Sequence, residues 1–312
     1  MKSIQYTKYG GPEVITLSEV EKPQPKENEV LIRVAATTVN PFEIKIRSGS
    51  MKQQIPVHFP FIPGGDVAGT VEAIGDQVTR INVGDKVFAT TFGDTYAEYI
   101  AIDAAKVTTI PNNVTMNEAA ALAVPLVTAY TFLVEQGKVQ QGQTVLIQGA
   151  GGAVGAVMVQ MAKALGAKVT GTASGDGVAL VRALGAEEVI DYKTQDFTKL
   201  VKDVDLVIDL VGGETQIKSF EVIKKNGLLL SAVMPPSPEL AEKYGISAGF
   251  TSSAPAFEKL DYGKQMVEEG KIKPEIAKVL PLDKAAEAQE LVSKGGLNGK
   301  VVLVVEYSTF KK

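Results

Sequence analysis

The chain has 312 residues, of which 45% are apolar and 22% are charged, and its formal net charge is -4. This length exceeds one ordinary domain and supplies apolar material for two hydrophobic cores. With no cysteine and one histidine, His58, the sequence excludes disulfides, thiolate nucleophiles, cysteine-ligated zinc and metal sites built from several histidines. The acidic balance provides no basic surface for nucleic acid or for an anionic membrane.

The N-terminal segment has no charged stretch followed by an apolar stretch, which is the pattern of a signal peptide. No uninterrupted apolar run reaches the roughly 18 residues expected of a membrane-spanning helix. We therefore expect a soluble, cytoplasmic protein.

The first third of the chain is predicted to be rich in β-strands. Short β-branched or alternating segments are separated by turns such as Asn40-Pro41. The predicted strands are Val30–Val39, Val67–Ile74, Lys86–Thr91 and Tyr96–Ile102. Several short strands of this kind predict a compact, barrel-like β domain.

Helical signals follow. Thr115-Met-Asn-Glu118 is a capping box before the alanine-rich segment Ala119–Ala123. Pro125 is favourable in a first helical turn and predicts the start of a second helix that ends near Gln136, before Gly137.

From Thr144 onwards, strand patterns alternate with helix patterns. The predicted segments are strand Val145–Ile147, helix Ala153–Leu165, strand Lys168–Thr172, helix Val178–Leu184, strand Val189–Ile190, strand Val204–Asp209, strand Leu228–Val233 and strand Ile246–Phe250. This alternation predicts a parallel, doubly wound sheet, so the fold class is α/β.

The C-terminal segment does not continue the alternation of strands and helices. Asp283–Ser293 is predicted as an amphipathic helix and Lys300–Val305 as a strand, without a βαβ partner for either. We expect this tail to return to the first domain. The predicted domains are residues 1–122 with 261–312, and residues 123–260.

A glycine-rich turn, Gly149-Ala150-Gly151-Gly152-Ala153-Val154-Gly155, lies between a predicted buried strand and a predicted helix. A pyrophosphate needs close backbone approach and unpaired N–H groups at a helix N-terminus, and side chains would block both. A second strand ends about 20 residues further on, as in dinucleotide-binding folds. The context predicts a dinucleotide site; the alternative is a glycine turn that binds no ligand.

The end of that second strand bears on the choice of cofactor. NAD selectivity usually rests on an acidic residue there, and this chain has Ser174 instead. A small hydroxyl accepts a 2′-phosphate without charge repulsion, which favours NADP(H). Asp176 lies two residues further on and is interpreted as the N-cap of the next helix. The nearest cations in sequence, Arg182 and Lys193, are candidates for the phosphate or for solvated surface charges.

The ordered motifs of this chain resemble those of the zinc-free quinone oxidoreductase branch of the medium-chain dehydrogenase/reductase superfamily. The resemblance covers essentially the whole chain. It is carried by Lys8–Val14, Val39–Lys45, Pro63–Gly69, Val83–Val87, Leu126–Thr131, Gly149–Gly155, Leu184–Ala186, Val189–Tyr192, Asp209–Gly213 and Gly299–Leu303. The resemblance implies a GroES-like, β-rich catalytic domain and a Rossmann domain. Zinc-dependent relatives have cysteine where this chain has Asn40, and a Gly-His-Glu run where it has Gly64-Gly-Asp66.

The resemblance also implies an NADP(H) site. The residues that it assigns to the pyrophosphate are Ala150, Gly151, Gly152, Ala153 and Val154. Those that it assigns to the adenosine ribose and its 2′-phosphate are Ser174 and Tyr192. Those that it assigns to the rest of the cofactor are Val211, Gly212, Ser231, Ala232, Val233, Phe250, Asn298 and Lys300. One feature departs from the family, because many relatives have a lysine shortly after the Ser174 position and this chain has none.

Hydride transfer needs stabilisation of the charge that develops on the acceptor. Without a metal, conjugated acceptors suit such a site because they delocalise that charge. We therefore predict NADPH-dependent reduction of a quinone or an α,β-unsaturated carbonyl; the alternative is a nucleotide-binding redox sensor or structural protein without turnover. The resemblance further predicts a homodimer.

Asn40, Lys45 and Thr128 are the candidate catalytic residues near the nicotinamide and the acceptor. Each also has a purely structural interpretation. Asn40 suits the turn before Pro41, Lys45 suits an exposed helix surface, and Thr128 suits a hydroxyl bonded to its own helix. His58 is interpreted as an exposed loop residue rather than a proton donor.

Overall fold

The structure is a computed structural model that describes residues 1–305. The strands within these residues are β1 (Lys2–Tyr6), β2 (Ile15–Glu19), β3 (Glu29–Thr38), β4 (Asp66–Ile74), β5 (Lys86–Thr90), β6 (Tyr99–Asp103), β7 (Val107–Thr109), β8 (Thr144–Gln148), β9 (Lys168–Ala173), β10 (Glu188–Asp191), β11 (Val204–Asp209), β12 (Ile223–Ser231), β13 (Ser247–Phe250), β14 (Ile276–Pro281) and β15 (Lys300–Val304). The α-helices in the same part of the chain are α1 (Pro41–Ser48), α2 (Met116–Tyr130), α3 (Ala153–Ala164), α4 (Asp176–Ala183), α5 (Phe197–Leu200), α6 (Gly213–Ser219), α7 (Pro238–Tyr244), α8 (Phe257–Glu268) and α9 (Ala285–Lys294).

The chain forms two compact units. Among the described residues, unit 1 comprises Met1–Val124, Pro255–Glu268 and 274–305, and unit 2 comprises Pro125–Ala254 and Glu269–Lys273. The predicted catalytic domain, residues 1–122 with 261–312, and the predicted dinucleotide-binding domain, residues 123–260, stay predictions.

Unit 1 is built on a seven-stranded sheet with the order β14-β15-β3-β4-β5-β7, in which β6 also pairs with β3. The pairs are antiparallel except for β14 with β15. The long strand β3 lies at the centre because its apolar side chains Val30, Ile32 and Val34 are all buried. This β-rich unit agrees with the GroES-like domain that the resemblance implies.

The tail of the chain contains a feature that the sequence did not predict. The strands β14 and β15 pair in parallel and are connected through α9, so the expectation that the tail has no βαβ partner is wrong. The sequence pattern of β14 is weak because β14 is an edge strand with exposed central residues, and it therefore has no apolar run. The strand β15 pairs in turn with β3, with Val302 opposite Thr38, so the tail lies in unit 1.

The expected second helix at Pro125 is also wrong. Pro125 lies inside the continuous helix α2, and a π-helical segment, Thr131–Gln136, extends it. Proline removes one internal hydrogen bond but its fixed φ suits a helix, and the buried side chains around it, such as Leu122 and Leu126, hold the helix together. The predicted capping box is confirmed, since Glu118 N donates to Thr115 Oγ1 and Thr115 N donates to Glu118 Oε2.

The combined helix Met116–Gln136 is long enough and apolar enough to cross a membrane by length and composition, contrary to the sequence expectation. That expectation considered only uninterrupted apolar runs. Because 67% of its most apolar window is buried inside the structure, the helix fits the core helix of a folded protein equally well.

Unit 2 contains a six-stranded, fully parallel sheet with the order β10-β9-β8-β11-β12-β13. Numbered from β8, this is the order 3-2-1-4-5-6 of a Rossmann fold. The predicted doubly wound sheet is therefore confirmed. In such folds the ligand binds at the carboxyl ends of the strands, where the strand order reverses between β8 and its neighbour β11.

Candidate dinucleotide site and buried polar cluster

The glycine turn connects β8 to α3 at the carboxyl edge of the parallel sheet. Gly149 has a φ of +79°, a conformation that favours glycine. A Cβ atom on Gly155 would lie 2.3 Å from the Gly149 carbonyl oxygen and 2.7 Å from Ala150 Cα, so only glycine lets the helix pack this closely on the turn. Gly152, the N-cap of α3, has no side chain to cover the helix end.

The first turn of α3 leaves backbone donors at this edge of the sheet. The first intrahelical bond runs from Ala156 N to Gly152 O at 2.8 Å, so the amides of Ala153, Val154 and Gly155 precede it. Backbone N–H groups at a helix N-terminus, with glycine on the approach, suit a pyrophosphate.

Ser174 and Tyr192 lie beside each other at the same edge. Ser174 directly follows β9 and Tyr192 directly follows the neighbouring strand β10, and the Ser174 Oγ and Tyr192 OH atoms are 2.8 Å apart. Asp176 is the first residue of α4, whose N-cap is Gly175, so the interpretation of Asp176 as the N-cap is wrong by one residue. Its side chain is exposed, as are those of Arg182 and Lys193.

Asp209 is a residue of this site that sequence reasoning missed. It ends β11, is fully buried, and accepts hydrogen bonds from Val211 N and Gly212 N through Oδ1. Its Oδ2 accepts from Gln216 Nε2 at 2.9 Å and from Ser231 Oγ at 2.8 Å. Asp209 therefore fixes the turn after β11 and the end of β12. A carboxylate at the end of a buried strand was the available signal.

The other predicted cofactor positions of unit 2 lie at the ends of successive strands. Tyr192, Val211 and Phe250 are more than half exposed although they are large and apolar, and Ala232 and Val233 are half-buried. Exposed apolar side chains at this edge of the sheet suit the rings of a dinucleotide. Their contacts with a cofactor stay predictions.

A cluster of polar side chains is buried in unit 1, and we call it the Lys300 cluster. Lys300 Nζ donates to Thr38 Oγ1 at 3.0 Å, to Asn40 Oδ1 at 2.5 Å and to Asp66 Oδ2 at 2.9 Å. Asn40 Nδ2 donates to Asp66 Oδ2 at 2.9 Å and to Glu43 Oε1 at 2.8 Å. These five residues come from the end of β3, the start of α1, and the first residues of β4 and β15.

Glu43 connects the Lys300 cluster to Tyr96. The Glu43 carboxylate accepts from Asn40 N at 2.9 Å and from Tyr96 OH at 2.9 Å. Burial raises the pKa of Glu43 to about 7; hydrogen bonds from Asn40 and the charge of Lys300 oppose that rise, and the charge of Asp66 adds to it. Burial, together with the nearby Glu43, also raises the pKa of Tyr96 well above its usual range.

The remaining predicted residues are placed as follows. Lys45 is exposed on α1 and does not belong to the Lys300 cluster, whereas Asn40 and Lys300 lie together in it. Asn298 is half-buried just before β15, Thr128 is half-buried in α2, and His58 is exposed. Asp66 belongs to the cluster as well, although the sequence did not predict it as a site residue.

Residues 1–305 contain no group of three or more His, Asp or Glu side chains arranged to hold a metal ion.

Comparison with known proteins places these features in one family. The family model described as "Alcohol dehydrogenase GroES-like domain" matches residues 26–112, and the one described as "Zinc-binding dehydrogenase" matches residues 184–303. The quinone oxidoreductase of Homo sapiens is 33% identical, over 98% of each chain. The NADPH-dependent alkenal/one oxidoreductase of Arabidopsis thaliana is 33% identical, over 97% of this chain and 79% of its own length. The crystal structure of Escherichia coli quinone oxidoreductase complexed with NADPH has a TM-score of 0.89 and 28% identity, over 97% of this chain and 100% of that chain.

A GroES-like β unit together with a Rossmann sheet and its glycine turn defines a medium-chain dehydrogenase/reductase. Within that superfamily, the chain belongs to the zinc-free quinone oxidoreductase branch, and it is an oxidoreductase. The predicted family is thus confirmed. One family model names zinc in its description, whereas this sequence has no cysteine.

Proposed function

We propose that the chain reduces a quinone or an α,β-unsaturated carbonyl with NADPH, and that this hydride transfer needs no zinc. The observation that carries the proposal is the glycine turn. Gly155 lets α3 pack on Gly149 and Ala150, and the first-turn amides of α3 meet no side chain at Gly152.

NADP(H) is the cofactor, and it supplies a hydride when bound. The Arabidopsis relative is an NADPH-dependent alkenal/one oxidoreductase, and the Escherichia coli quinone oxidoreductase was solved in complex with NADPH. In this chain Ala150 to Val154 would hold the pyrophosphate through backbone N–H groups. Ser174 and Tyr192 would bind the adenosine ribose and its 2′-phosphate, since their paired hydroxyls offer hydrogen bonds without the negative charge of an aspartate.

The rest of the cofactor site is proposed from the same resemblance. Asp209 holds the turn that carries Val211 and Gly212, and it also holds Ser231. These positions, with Ala232, Val233 and Phe250, would line the cofactor beyond its ribose. Asn298 is a further candidate.

The acceptor is proposed to be conjugated because of the side chains available. A simple alcohol needs a base or a Lewis acid to remove its proton, whereas a quinone or enone delocalises the developing negative charge. Lys45 and Thr128 are each proposed to donate a hydrogen bond near the acceptor, and Asn40 is the third candidate catalytic residue. Two relatives named as a quinone oxidoreductase and as an alkenal/one oxidoreductase support this substrate class.

The proposal is tested by binding and turnover with the purified chain. NADPH and NADH are titrated separately, and loss of nicotinamide absorbance is then followed with one quinone and one enone, with and without a metal chelator. We expect tighter binding of NADPH and chelator-resistant turnover with at least one acceptor. Cofactor binding without turnover would favour a redox sensor or structural protein, and equal affinity for both cofactors would refute the argument from Ser174.

The assembly and location of the enzyme are also proposals. We propose a homodimer, as the family resemblance implies, and a cytoplasmic location; sedimentation of the purified chain measures the first of these directly.

A further inference from the structure

The Lys300 cluster contains a buried positive charge whose hydrogen-bond donors all bind groups of this chain. Three hydrogens of the Lys300 ammonium are donated to Thr38 Oγ1, Asn40 Oδ1 and Asp66 Oδ2, and the side chain is only 4% exposed. A lysine ammonium has three donors and no acceptor, so none remains for a ligand. This arrangement differs from that of a residue held ready to contact a cofactor.

We infer that Lys300 is a positioning residue: its ammonium is the fixed counter-charge of Asp66, and through Asn40 it holds the start of α1 in one orientation. The inference rests on the proposed reductase function, because α1 carries the candidate catalytic residue Lys45. It assigns Asn40 and Lys300 to the support of the site rather than to contact with the cofactor or acceptor.

The hydrogen-bond directions support this assignment. Asn40 donates one amide hydrogen to Glu43 Oε1 and the other to Asp66 Oδ2, while its Oδ1 accepts from Lys300. Thr38 Oγ1 donates to Asp66 Oδ2 at 2.5 Å and accepts from Lys300. Each donated hydrogen has one acceptor. If the oxygen and the NH2 group of the Asn40 amide exchanged places, the NH2 group would lie against the Lys300 ammonium and the oxygen against the Asp66 carboxylate.

Asp66 is the anionic centre of the cluster. It is fully buried, and its Oδ2 accepts from Thr38, Asn40 and Lys300, while its Oδ1 accepts from Val124 N at 2.5 Å. Lys300 is the one cationic donor among these four groups. Removing one partner of such a pair leaves the other charge buried and uncompensated, which is strongly unfavourable.

The backbone at Gly65 lies directly against the Lys300 cluster. A Cβ atom on Gly65 would lie 3.4 Å from both Asn40 Nδ2 and Glu43 Oε1, so the backbone packs closely on the cluster. The buried side-chain atoms without a partner in residues 1–305 are Ser3 Oγ, Arg47 Nε and Thr90 Oγ1, and none of these belongs to the cluster.

Other ionisable groups near Asp66 must be considered in a test that varies pH. Glu43 on α1 and Tyr96, which precedes β6, lie next to the cluster through Asn40. Tyr6 on β1 and Arg47 on α1 form the next layer and are both bonded to Gln289. Since Glu43 itself titrates near neutral pH, the experiment is repeated in the Glu43→Gln background.

The test compares Lys300→Met, Asp66→Asn and the double variant, with Lys294→Met as the matched control on an exposed lysine. Thermal unfolding is measured from pH 5 to pH 8. We expect Lys300→Met to lower the melting temperature by about 10 °C at pH 8. The double variant recovers most of the loss, and Lys294→Met behaves as the wild type.

Activity and cofactor binding are measured on the same proteins. We expect Lys300→Met to lower kcat on the order of tenfold with the dissociation constant of NADPH unchanged, because a misplaced α1 affects turnover. Lys300→Arg, which keeps the charge, restores part of kcat. If the double variant folds while Lys300→Met does not, the charge pairing is supported.

The inference is overturned if Lys300→Met keeps wild-type stability at every pH, or if the double variant is no more stable than Lys300→Met. It is also overturned if NADPH binding weakens equally in Lys300→Met and in the double variant. These results are distinct from failure of the proposed function. A wild-type chain that shows no turnover would contradict the reductase proposal. The unfolding and NADPH-binding measurements would still decide the role of Lys300.

Discussion

Glu43 illustrates how a single residue gives the buried cluster a pH response. Its carboxylate accepts three hydrogen bonds, two from Asn40 and one from Tyr96. Burial nevertheless outweighs them and raises its pKa from the ordinary value of 4.5 to about 7. Because the folded pKa exceeds the unfolded one, the folded protein binds more protons than the unfolded chain between these two values.

Replacing Glu43 by Gln is therefore expected to change how stability depends on pH. The contribution of Glu43 to stability is greatest below pH 4.5 and is lost as the pH rises through about 7, a change of at most about 3 kcal/mol. The variant loses this slope because Gln does not ionise. The measurement is the free energy of unfolding at several pH values for both proteins.

A matched control for that measurement is Glu258→Gln, on an exposed residue of α8. Parallel curves for the wild type and Glu43→Gln between pH 5 and pH 8 would contradict the raised pKa.

At the residue scale, sequence patterns identified some polar side chains of the candidate sites but not the side chains that they contact. The positions of Ser174 and Tyr192 follow from neighbouring parallel strands, and the two hydroxyls do lie 2.8 Å apart. The pairing of Lys300 with Asp66 spans 234 positions of sequence, and no local period or spacing reports such a contact. Sequence also suggested Asn40 as a polar active-site residue, but only the structure reveals that both its amide hydrogens are donated internally.

At the scale of elements, the turn between β8 and α3 separates two roles of glycine. Gly155 makes helix packing possible, since a Cβ atom there would lie 2.3 Å from a backbone oxygen. Gly152 has room for a Cβ atom, whose nearest neighbour would be the Gly149 oxygen at 3.5 Å. Packing therefore does not require glycine at position 152, which agrees with the proposed pyrophosphate site.

Two alanine substitutions test this separation. We expect Gly155→Ala to lower the free energy of unfolding by about 1–3 kcal/mol because the new methyl group displaces α3. Gly152→Ala changes that energy by less than about 1 kcal/mol and yet weakens NADPH binding on the order of tenfold or more, because the methyl group blocks the pyrophosphate. Calorimetric unfolding and NADPH titration are the measurements. Normal NADPH binding by Gly152→Ala would argue against a pyrophosphate at this turn.

The elements themselves were predictable where burial gives a strong pattern. The parallel strands of unit 2 are short apolar runs, and most of their predicted positions agree with the structure to within one or two residues, although β12 begins earlier than predicted. The errors lie where local rules compete with tertiary packing. Pro125 marks a helix start by local preference but lies inside the buried helix α2, and β14 is too exposed to show an apolar run.

At the scale of the whole molecule, composition and fold together limit the chemistry. The absence of cysteine removes the ligands that a catalytic zinc of this superfamily uses, and a Rossmann sheet supplies a place for a dinucleotide. The identity of the acceptor depends on loop conformations that no sequence period determines. Together these features favour the proposed metal-independent hydride transfer from NADPH to a conjugated acceptor.

The most direct test of that claim follows the transferred hydrogen. NADPH that carries deuterium at its transferable position is incubated with the purified chain, an enone and a metal chelator, and the product is examined by mass spectrometry and NMR. We expect a saturated carbonyl product with one deuterium at the β-carbon. A product without deuterium, or turnover that stops when the chelator is added, would contradict it.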